Sequence, residues 1–295
     1  MALFYRRLPR FEYVSPKTLE EAVAFLSDHG DTARLLAGGT DLLPQLKGRE
    51  ITARYVVDLK AIPGLDTILY DDLQGLRIGA LATISAIARL PLVRDNFPIL
   101  AEAASVMASP QVRNIGTFVG NICNGVPSAD SAPGLLALEA SVRILGPRGE
   151  RIVPMDGFFT GPRKTVLASD EVAVEIRVPK PAAGTHGVYL KLSPRHSMDL
   201  AVVGVAVAGL EKEGVCRDVK IGLGAVAPTP IRAPLAEAML KGKRITPELI
   251  DEAARHTITQ CSPIDDHRAS QEYRCDMVYV MTRRALTQVL LQGGK

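Results

Sequence analysis

Two glycine-rich segments hold the residues of this chain whose types and spacing could do chemistry. The first reads LLAGGTD, from Leu35 to Asp41, and the second reads NIGTFVGNICNGVPSAD, from Asn114 to Asp130. Glycine has no Cβ, so a ligand can approach the backbone closely, and N–H groups at the start of a helix attract anions. Both segments lead into a predicted helix. Together they could therefore clamp the two phosphates of one dinucleotide.

The polar side chains of these segments offer hydrogen bonds. Thr40 adds a hydroxyl, Asp41 can cap the next helix or hold a loop amide, and asparagine amides both donate and accept. Neither segment matches G-x-G-x-x-G or places a P-loop lysine, so a Rossmann fold or a P-loop is not indicated. A second interpretation stays open on the residues alone. Each segment could be a structural turn, with a helix cap or with asparagines that bond their own backbone.

The second segment is predicted to be a loop. It is too polar for a buried strand and too poor in helix formers for a helix. Ser131 can cap a helix from Ala132 to Glu139, because Pro133 is tolerated in a first turn.

Composition indicates an ordinary globular protein of two domains. The 295 residues are 47% hydrophobic and 23% charged, with a net charge of +3 that is spread along the chain. Charge of this kind does not indicate nucleic-acid binding. The longest apolar run, Leu200 to Leu210, is about half the length of a membrane span. With no signal peptide in sight, we expect a cytoplasmic protein.

The four cysteines do not resemble the ligands of a metal site. Cys123, Cys216, Cys261 and Cys275 are far apart in sequence and form no C-x-x-C pair. Free thiols are expected, and no metal site is expected in this chain.

Hydrophobic periodicity predicts an α+β fold. Strands are predicted at 34–37, 55–59, 76–79, 141–145, 151–153, 171–178, 187–192, 200–210 and 215–222. Helices are predicted from Leu19 to Gly30, at 42–47, 83–90 and 99–109, and, in the second half, at 233–240, 247–260 and 270–291. The segment Pro179 to Gly184 interrupts the pattern, so we place a domain boundary there.

Three runs resemble the FAD-binding subunit of the molybdenum hydroxylase family. They are LLAGGTDLLPQLK (35–47), SPQVRNIGTFVGNICNGVPSADSAPGLLALEA (109–140) and GFFTGPRKTVLASDEV (157–172). The likeness covers nearly the whole chain. Bacterial three-subunit xanthine dehydrogenases are the nearest match that we recognise within the family.

The resemblance implies a domain organisation. Residues 1–180 would be a two-subdomain FAD-binding domain, of the vanillyl-alcohol-oxidase-like type, divided into about 1–58 and 59–180. Residues 185–292 would be a small α+β C-terminal domain with an antiparallel sheet and helices, of the carbon monoxide dehydrogenase flavoprotein type.

It also implies a cofactor site. The first segment would follow the FAD diphosphate, the second would surround the diphosphate and ribityl chain, and Asp130 would bond sugar or ribityl hydroxyls. Leu167 would pack near the flavin ring, Met107 would stand at the adenine, and Lys191 would stabilise the anionic reduced flavin from its edge. The implied FAD-binding residues are Leu35, Leu36, Ala37, Gly38, Gly39, Thr40, Asp41, Met107, Thr117, Gly120, Asn121, Ile122, Asp130, Leu167 and Lys191.

The implied function is electron transfer within a larger complex. Electrons would come from molybdopterin and [2Fe-2S] centres in a large and a small partner subunit, and NAD or another acceptor would receive them. A dimer of heterotrimers and a purine substrate are expected, with carbon monoxide, nicotinate, aldehyde or aromatic acyl-CoA as alternative substrates. A stand-alone FAD oxidase is a further alternative, although the five histidines show no arrangement for covalent flavin attachment.

Two departures from the family pattern stand in the second segment. Val119 replaces the first glycine of a Thr-Ile-Gly-Gly-Asn pattern. A β-branched residue at a positive φ would be strained, so we expect the backbone at Val119 to have ordinary β geometry. A subunit that has lost FAD is the alternative that Val119 supports. No cysteine-rich insertion follows Asn121, unlike in the 4-hydroxybenzoyl-CoA reductases.

Overall fold

The computed structural model describes residues 7–195 and 198–293. A parallel three-stranded sheet opens the chain, with strands β1 (Glu12–Val14), β2 (Ala33–Leu36) and β3 (Tyr55–Asp58) in the order β1-β3-β2. Helices α1 (Leu19–His29) and α2 (Leu42–Gly48) connect these strands. α1 begins at Thr18, whose side chain accepts a hydrogen bond from the Glu21 N–H, and ends at Gly30 with a positive φ of 47°. The turn from β2 into α2 is the first glycine-rich segment.

An antiparallel five-stranded sheet follows. Its strands are β4 (Ile68–Asp71), β5 (Gly75–Gly79), β6 (Ser141–Gly146), β7 (Gly149–Pro154) and β10 (Val172–Val178), in the order β4-β5-β10-β6-β7. A short hairpin of β8 (Phe159–Gly161) and β9 (Lys164–Thr165) lies between β7 and β10. The predicted strands at 141–145 and 151–153 are confirmed as β6 and β7, which pair antiparallel as a hairpin through the turn from Gly146 to Gly149.

Six helices stand between β5 and β6 in the described chain: α3 (Ile84–Arg89), α4 (Pro91–Asn96), α5 (Pro98–Ser105), α6 (Pro110–Arg113), α7 (Phe118–Cys123) and α8 (Ser131–Ala137). Proline opens α4, α5 and α6, where its missing N–H costs nothing. Apolar residues of these helices and of the five-stranded sheet form one buried core, which includes Phe97, Leu100, Phe118 and Phe158. This core fixes α7 and α8 at the edge of the site.

The last third of the chain forms an antiparallel four-stranded sheet. Its strands are β11 (His186–Leu192), β12 (Val203–Lys212), β13 (Val215–Gly224) and β14 (Ile231–Arg232), followed by helices α9 (Pro234–Leu240), α10 (Pro247–Ile258) and α11 (Gln271–Leu290). One face of this sheet packs on α5 and α8, and the other packs on α11. A Cβ on Gly222 would lie 2.1 Å from the Pro133 carbonyl oxygen, so β13 and α8 are in backbone contact.

The predicted fold class is confirmed: helices and two sheets mix in the first part of the chain, and an α+β part with an antiparallel sheet follows it. The exact domain and subdomain boundaries stay predictions. The predicted strand from Leu200 starts instead at Val203.

The loop prediction for 114–130 was wrong over Phe118–Cys123, which is helix α7. The cap that holds this helix and the core that buries it outweigh its poor intrinsic propensity.

Candidate cofactor site

A cleft of about 660 Å³ lies between the β2–α2 turn, α7 and the start of α8. This volume is within the usual range for cofactor sites. Twelve of the fifteen residues predicted to bind FAD line the cleft: Leu35, Ala37, Gly38, Gly39, Thr40, Asp41, Met107, Thr117, Gly120, Asn121, Asp130 and Leu167. The other three, Leu36, Ile122 and Lys191, are not among the lining residues. Ile122 is fully buried in the core.

The first segment presents backbone donors to the cleft. In the described part of the chain, the N–H groups of Gly38, Gly39, Thr40 and Asp41 donate no hydrogen bond, while all four residues line the cleft. Gly39 has a φ of 75°, which favours glycine. Gly38, Gly39 and Thr40 are half-buried at the wall of the cleft. The four adjacent N–H groups are therefore available to a ligand that is rich in acceptor atoms.

Asp41 stands among these donors. It occupies the N-cap position of α2, but its side chain makes no capping hydrogen bond, contrary to one of the two roles expected for it. Burial raises the pKa of Asp41, and the positive charge of Arg163 counters that rise. Arg163 also lines the cleft, and its guanidinium lies 3.9 Å from the carboxylate of Glu50.

The two glycine-rich segments touch each other. A Cβ on Gly38 would lie 2.2 Å from the Ile115 carbonyl oxygen and 2.8 Å from the Gly116 Cα. The side chain of Gln45, on helix α2, donates to Oδ1 of Asn124, which lies within the second segment, at 3.1 Å. The predicted clamp is therefore one continuous backbone cradle.

Helix α7 begins at Thr117, whose hydroxyl accepts a hydrogen bond from the Gly120 N–H at 3.0 Å. Val119 lies in the first turn of α7, so the expectation of β geometry was wrong. A helical φ is negative, and valine adopts it without the strain that a positive φ would bring. Val119 is buried and lines the cleft, so the departure from glycine leaves the cradle intact.

A buried carboxylate of the cleft stands at the start of α8. Asp130 precedes the helix but makes no capping bond, and the predicted cap Ser131 instead donates to Asn121 Oδ1 at 2.6 Å. Asp130 is buried; its Oδ2 accepts from Lys191 Nζ at 2.8 Å, and its Oδ1 accepts from the Tyr189 hydroxyl at 2.7 Å. Lys191 thus reaches the site through Asp130.

Sequence reasoning missed several residues of the cleft. They include Arg34, Gln45, Asn124, Ser128, Arg163, Ala173 and the pair Met198 and Leu200. Asn124 and Ser128 stand in the quoted second segment, and Arg163 and Ala173 stand in or next to the quoted third run. Gln45 stands in the quoted first run and Arg34 directly precedes it. Met198 and Leu200 are brought in by the fold, and no local motif marks them.

Cys123 lines the cleft without being reactive, because burial raises the pKa of its thiol to about 12. Among residues 7–195 and 198–293, no group of three or more His, Cys, Asp or Glu side chains could hold a metal ion. No helix of the same residues is long and apolar enough to cross a membrane.

These features define a class of protein: an α+β protein whose cleft, between two glycine-rich segments, fits a dinucleotide. The cradle can supply backbone donors for phosphates, the buried carboxylate can accept from hydroxyls, and apolar residues such as Met107 and Leu167 can cover aromatic rings. FAD contains all three kinds of group, so the residues present fit it.

Comparison with known proteins agrees with this class. Residues 9–181 match the family model described as FAD binding domain in molybdopterin dehydrogenase, and residues 188–289 match the CO dehydrogenase flavoprotein C-terminal domain. The chain is 41% identical to the carbon monoxide dehydrogenase medium chain of Hydrogenophaga pseudoflava, over 94% of this chain and 96% of that one. It is 34% identical to the xanthine dehydrogenase FAD-binding subunit of Escherichia coli O157:H7, over 96% and 97% of the two chains.

A solved structure of carbon monoxide dehydrogenase from Hydrogenophaga pseudoflava, which lacks the Mo-pyranopterin moiety, shares the fold. The TM-score is 0.93 at 41% identity, with 97% of this chain and 99% of that chain covered. The chain belongs to the family of FAD-binding medium subunits of molybdenum hydroxylases.

Proposed function

We propose that this chain binds FAD in the cleft and serves as the electron-transfer subunit of a molybdenum hydroxylase. One observation carries the proposal: four adjacent backbone donors without partners line a cleft whose opposite rim is a second glycine-rich helix start. Bound FAD would supply the redox chemistry, accepting electrons from a partner and passing them on.

The residues of the chain would bind and orient the cofactor. The donors of residues 38–41 would hold the diphosphate, and Arg163 would add a positive charge on the same side, where Asp41 alone would repel phosphate. Asp130 would accept hydrogen bonds from ribityl or ribose hydroxyls. Met107 and Leu167 would exclude water from the rings. The implied contact of Lys191 with the flavin edge would be weakened, because its charge is paired with Asp130.

We further propose a small partner subunit with iron–sulfur clusters and a large partner subunit with molybdenum, assembled as a dimer of heterotrimers. Similar chains carry the names medium chain, medium subunit and complex subunit alpha, which are names of parts of assemblies. An affinity tag on this chain in its native cells should recover both partners in equal amounts. Recovery of the chain alone from gently lysed cells would contradict the assembly.

The substrate is determined in the partner subunits under this proposal. Similar chains bear the names of dehydrogenases for carbon monoxide, xanthine, glyceraldehyde and nicotinate, at identities between 30% and 41%. The expected preference for xanthine gains no support, since the carbon monoxide dehydrogenase chain is the more similar of the two compared above. Turnover assays of the native complex with carbon monoxide and with xanthine separate the two substrates.

NAD is the electron acceptor that we propose, on the family resemblance alone. The native complex, given its substrate, should reduce NAD faster than a quinone or a ferredoxin. Reduction of a quinone or a ferredoxin without reduction of NAD would overturn this assignment and leave the FAD proposal standing.

A further inference from the structure

The carboxylate of Asp130 is held by two side chains of one strand of the C-terminal sheet. Tyr189 and Lys191 are two residues apart on β11, so they project from the same face of the strand. The Tyr189 hydroxyl donates to one carboxylate oxygen at 2.7 Å, and Lys191 Nζ donates to the other at 2.8 Å. Asp130 precedes α8 of the first domain. The contact of Asp130 with Tyr189 and Lys191 therefore joins a wall of the cleft to the C-terminal sheet.

The ammonium of Lys191 has no spare donor for the cleft. Besides Asp130, it donates to the carbonyl oxygen of Asp199 at 2.9 Å and to that of Val106 at 3.3 Å. Its side chain is 7% exposed. Each carboxylate oxygen of Asp130 can accept more than one hydrogen bond, so acceptor positions remain for a ligand in the cleft.

The surroundings of the Tyr189 hydroxyl keep it protonated, so that it acts as a hydrogen-bond donor to Asp130. Burial raises the pKa of the Tyr189 phenol well above its usual value, and the charge of Asp130 raises it further. The backbone N–H of Tyr189 is held by the carboxylate of Glu102 at 2.7 Å. A Cβ at residue 204 would come within 2.8 Å of the Tyr189 hydroxyl oxygen, so Gly204 on the neighbouring strand leaves the room that this hydroxyl needs.

We propose that Tyr189 is a positioning residue of the cofactor site, whose hydroxyl keeps the Asp130 carboxylate ionised and oriented to accept hydrogen bonds from hydroxyls of the bound cofactor. The proposal rests on the proposed function, in which that cofactor is FAD. The role of Tyr189 goes beyond the proposed function, because it makes FAD binding depend on strand β11 through a residue that does not itself line the cleft.

Ionisation of Asp130 depends on these donors. Burial raises the pKa of Asp130, whereas the charge of Lys191 and the hydrogen bonds from Lys191 and Tyr189 lower it. Among the residues that the structure describes, the ionisable groups nearby include Glu102, which faces the backbone of β11, and Asp199, whose carboxylate pairs with Arg195. Loss of the Tyr189 hydroxyl removes one lowering contribution, so Asp130 becomes protonated at a higher pH. A protonated carboxyl accepts hydrogen bonds poorly.

The test compares Tyr189→Phe with Tyr279→Phe in the full chain. The Tyr279 hydroxyl also donates to an aspartate, Asp251, but on α10 and α11 away from the cleft, so it is the matched control. Dissociation constants are measured by fluorescence titration with FAD and with lumiflavin, which has no ribityl or ribose hydroxyls. Tyr189→Phe should weaken FAD binding about ten-fold or more and leave lumiflavin unchanged, as expected for a hydrogen bond to a charged group. Tyr279→Phe should change neither.

A pH series and a double variant complete the test. FAD affinity of Tyr189→Phe should fall at a higher pH than that of the wild type as the solution is acidified. In an Asp130→Asn background, removal of the Tyr189 hydroxyl should have no further effect. Equal losses for FAD and lumiflavin, or unchanged FAD affinity, would overturn the role of Tyr189. A wild-type protein that binds no FAD would instead overturn the proposed function.

Discussion

Gly38 shows how the lack of a side chain can serve a site through the packing of two segments. The sequence suggests that Gly38 and Gly39 let a cofactor approach the backbone. In the structure Gly39 meets the need for a positive φ, while Gly38 allows the two cradle segments to meet at Ile115 and Gly116. Close contact between two distant loops cannot be predicted from either loop alone.

Replacement of Gly38 by alanine should therefore destabilise the protein and lower FAD affinity. Its Cβ would lie 2.2 Å from a backbone oxygen, and overpacking of this kind costs about 1–3 kcal/mol. Gly157→Ala is the matched control, since a Cβ there meets nothing within 4 Å and its φ is not positive. Urea unfolding measures both variants. Equal stability of the two would show that the cradle segments do not pack as described.

Glu171 gives a prediction about pH. The hydrogen bonds from Arg151 hold the pKa of Glu171 below its ordinary value, and the same carboxylate accepts from the Ala168 N–H beside Leu167 of the cleft. A carboxylate with a lowered pKa stabilises the fold above its unfolded-state pKa, and this stability is lost as pH falls through the folded-state value. Arg151→Met removes the donor that lowers this pKa, so the free energy of unfolding should fall less steeply as the pH is lowered into the acidic range. An unchanged dependence of the unfolding free energy on pH would contradict this assignment.

At the scale of elements, long periodic segments could be predicted from sequence and short capped ones could not. Helices α10 and α11 follow the apolar spacing of their residues, and both were predicted within a few residues of their ends. Helix α7 has six residues, including a glycine and an asparagine, and was predicted as a loop. Its stability comes from the Thr117 cap and from burial of Phe118 and Ile122.

The cap of α7 can be tested by two substitutions. Thr117→Val removes the oxygen that accepts from the Gly120 N–H, and such a loss costs about 0.5–2 kcal/mol. Thr117→Ser keeps the oxygen and should retain most of the stability and of the FAD affinity. Thermal unfolding and FAD titration of both variants provide the measurement. Equal behaviour of valine and serine at this position would refute the cap.

At the scale of the whole molecule, the C-terminal sheet completes the core of the first domain. Tyr189, Ala206 and Ala208 of that sheet belong to the same buried cluster as the helices around the cleft. The resemblance predicted two domains in sequence, but it did not predict this shared core or the contact of Tyr189 with Asp130. Both depend on which faces of two distant elements meet.

A shared core should make the two domains unfold together. Calorimetry of the full chain should show one transition, because exposure of the C-terminal sheet opens the core that supports the cleft. Gly222→Ala should lower the temperature of that single transition, since its Cβ would lie 2.1 Å from the Pro133 carbonyl oxygen. Two separate transitions in the wild type would contradict a shared core.

The cofactor content of the protein tests the central claim most directly. The protein is purified from its native cells, denatured to release the bound flavin, and the flavin is identified and quantified by chromatography and absorbance. The account predicts one FAD per chain, released without cleavage of any covalent bond. Protein that carries no flavin, or that carries FMN in place of FAD, would contradict a cleft built for a dinucleotide.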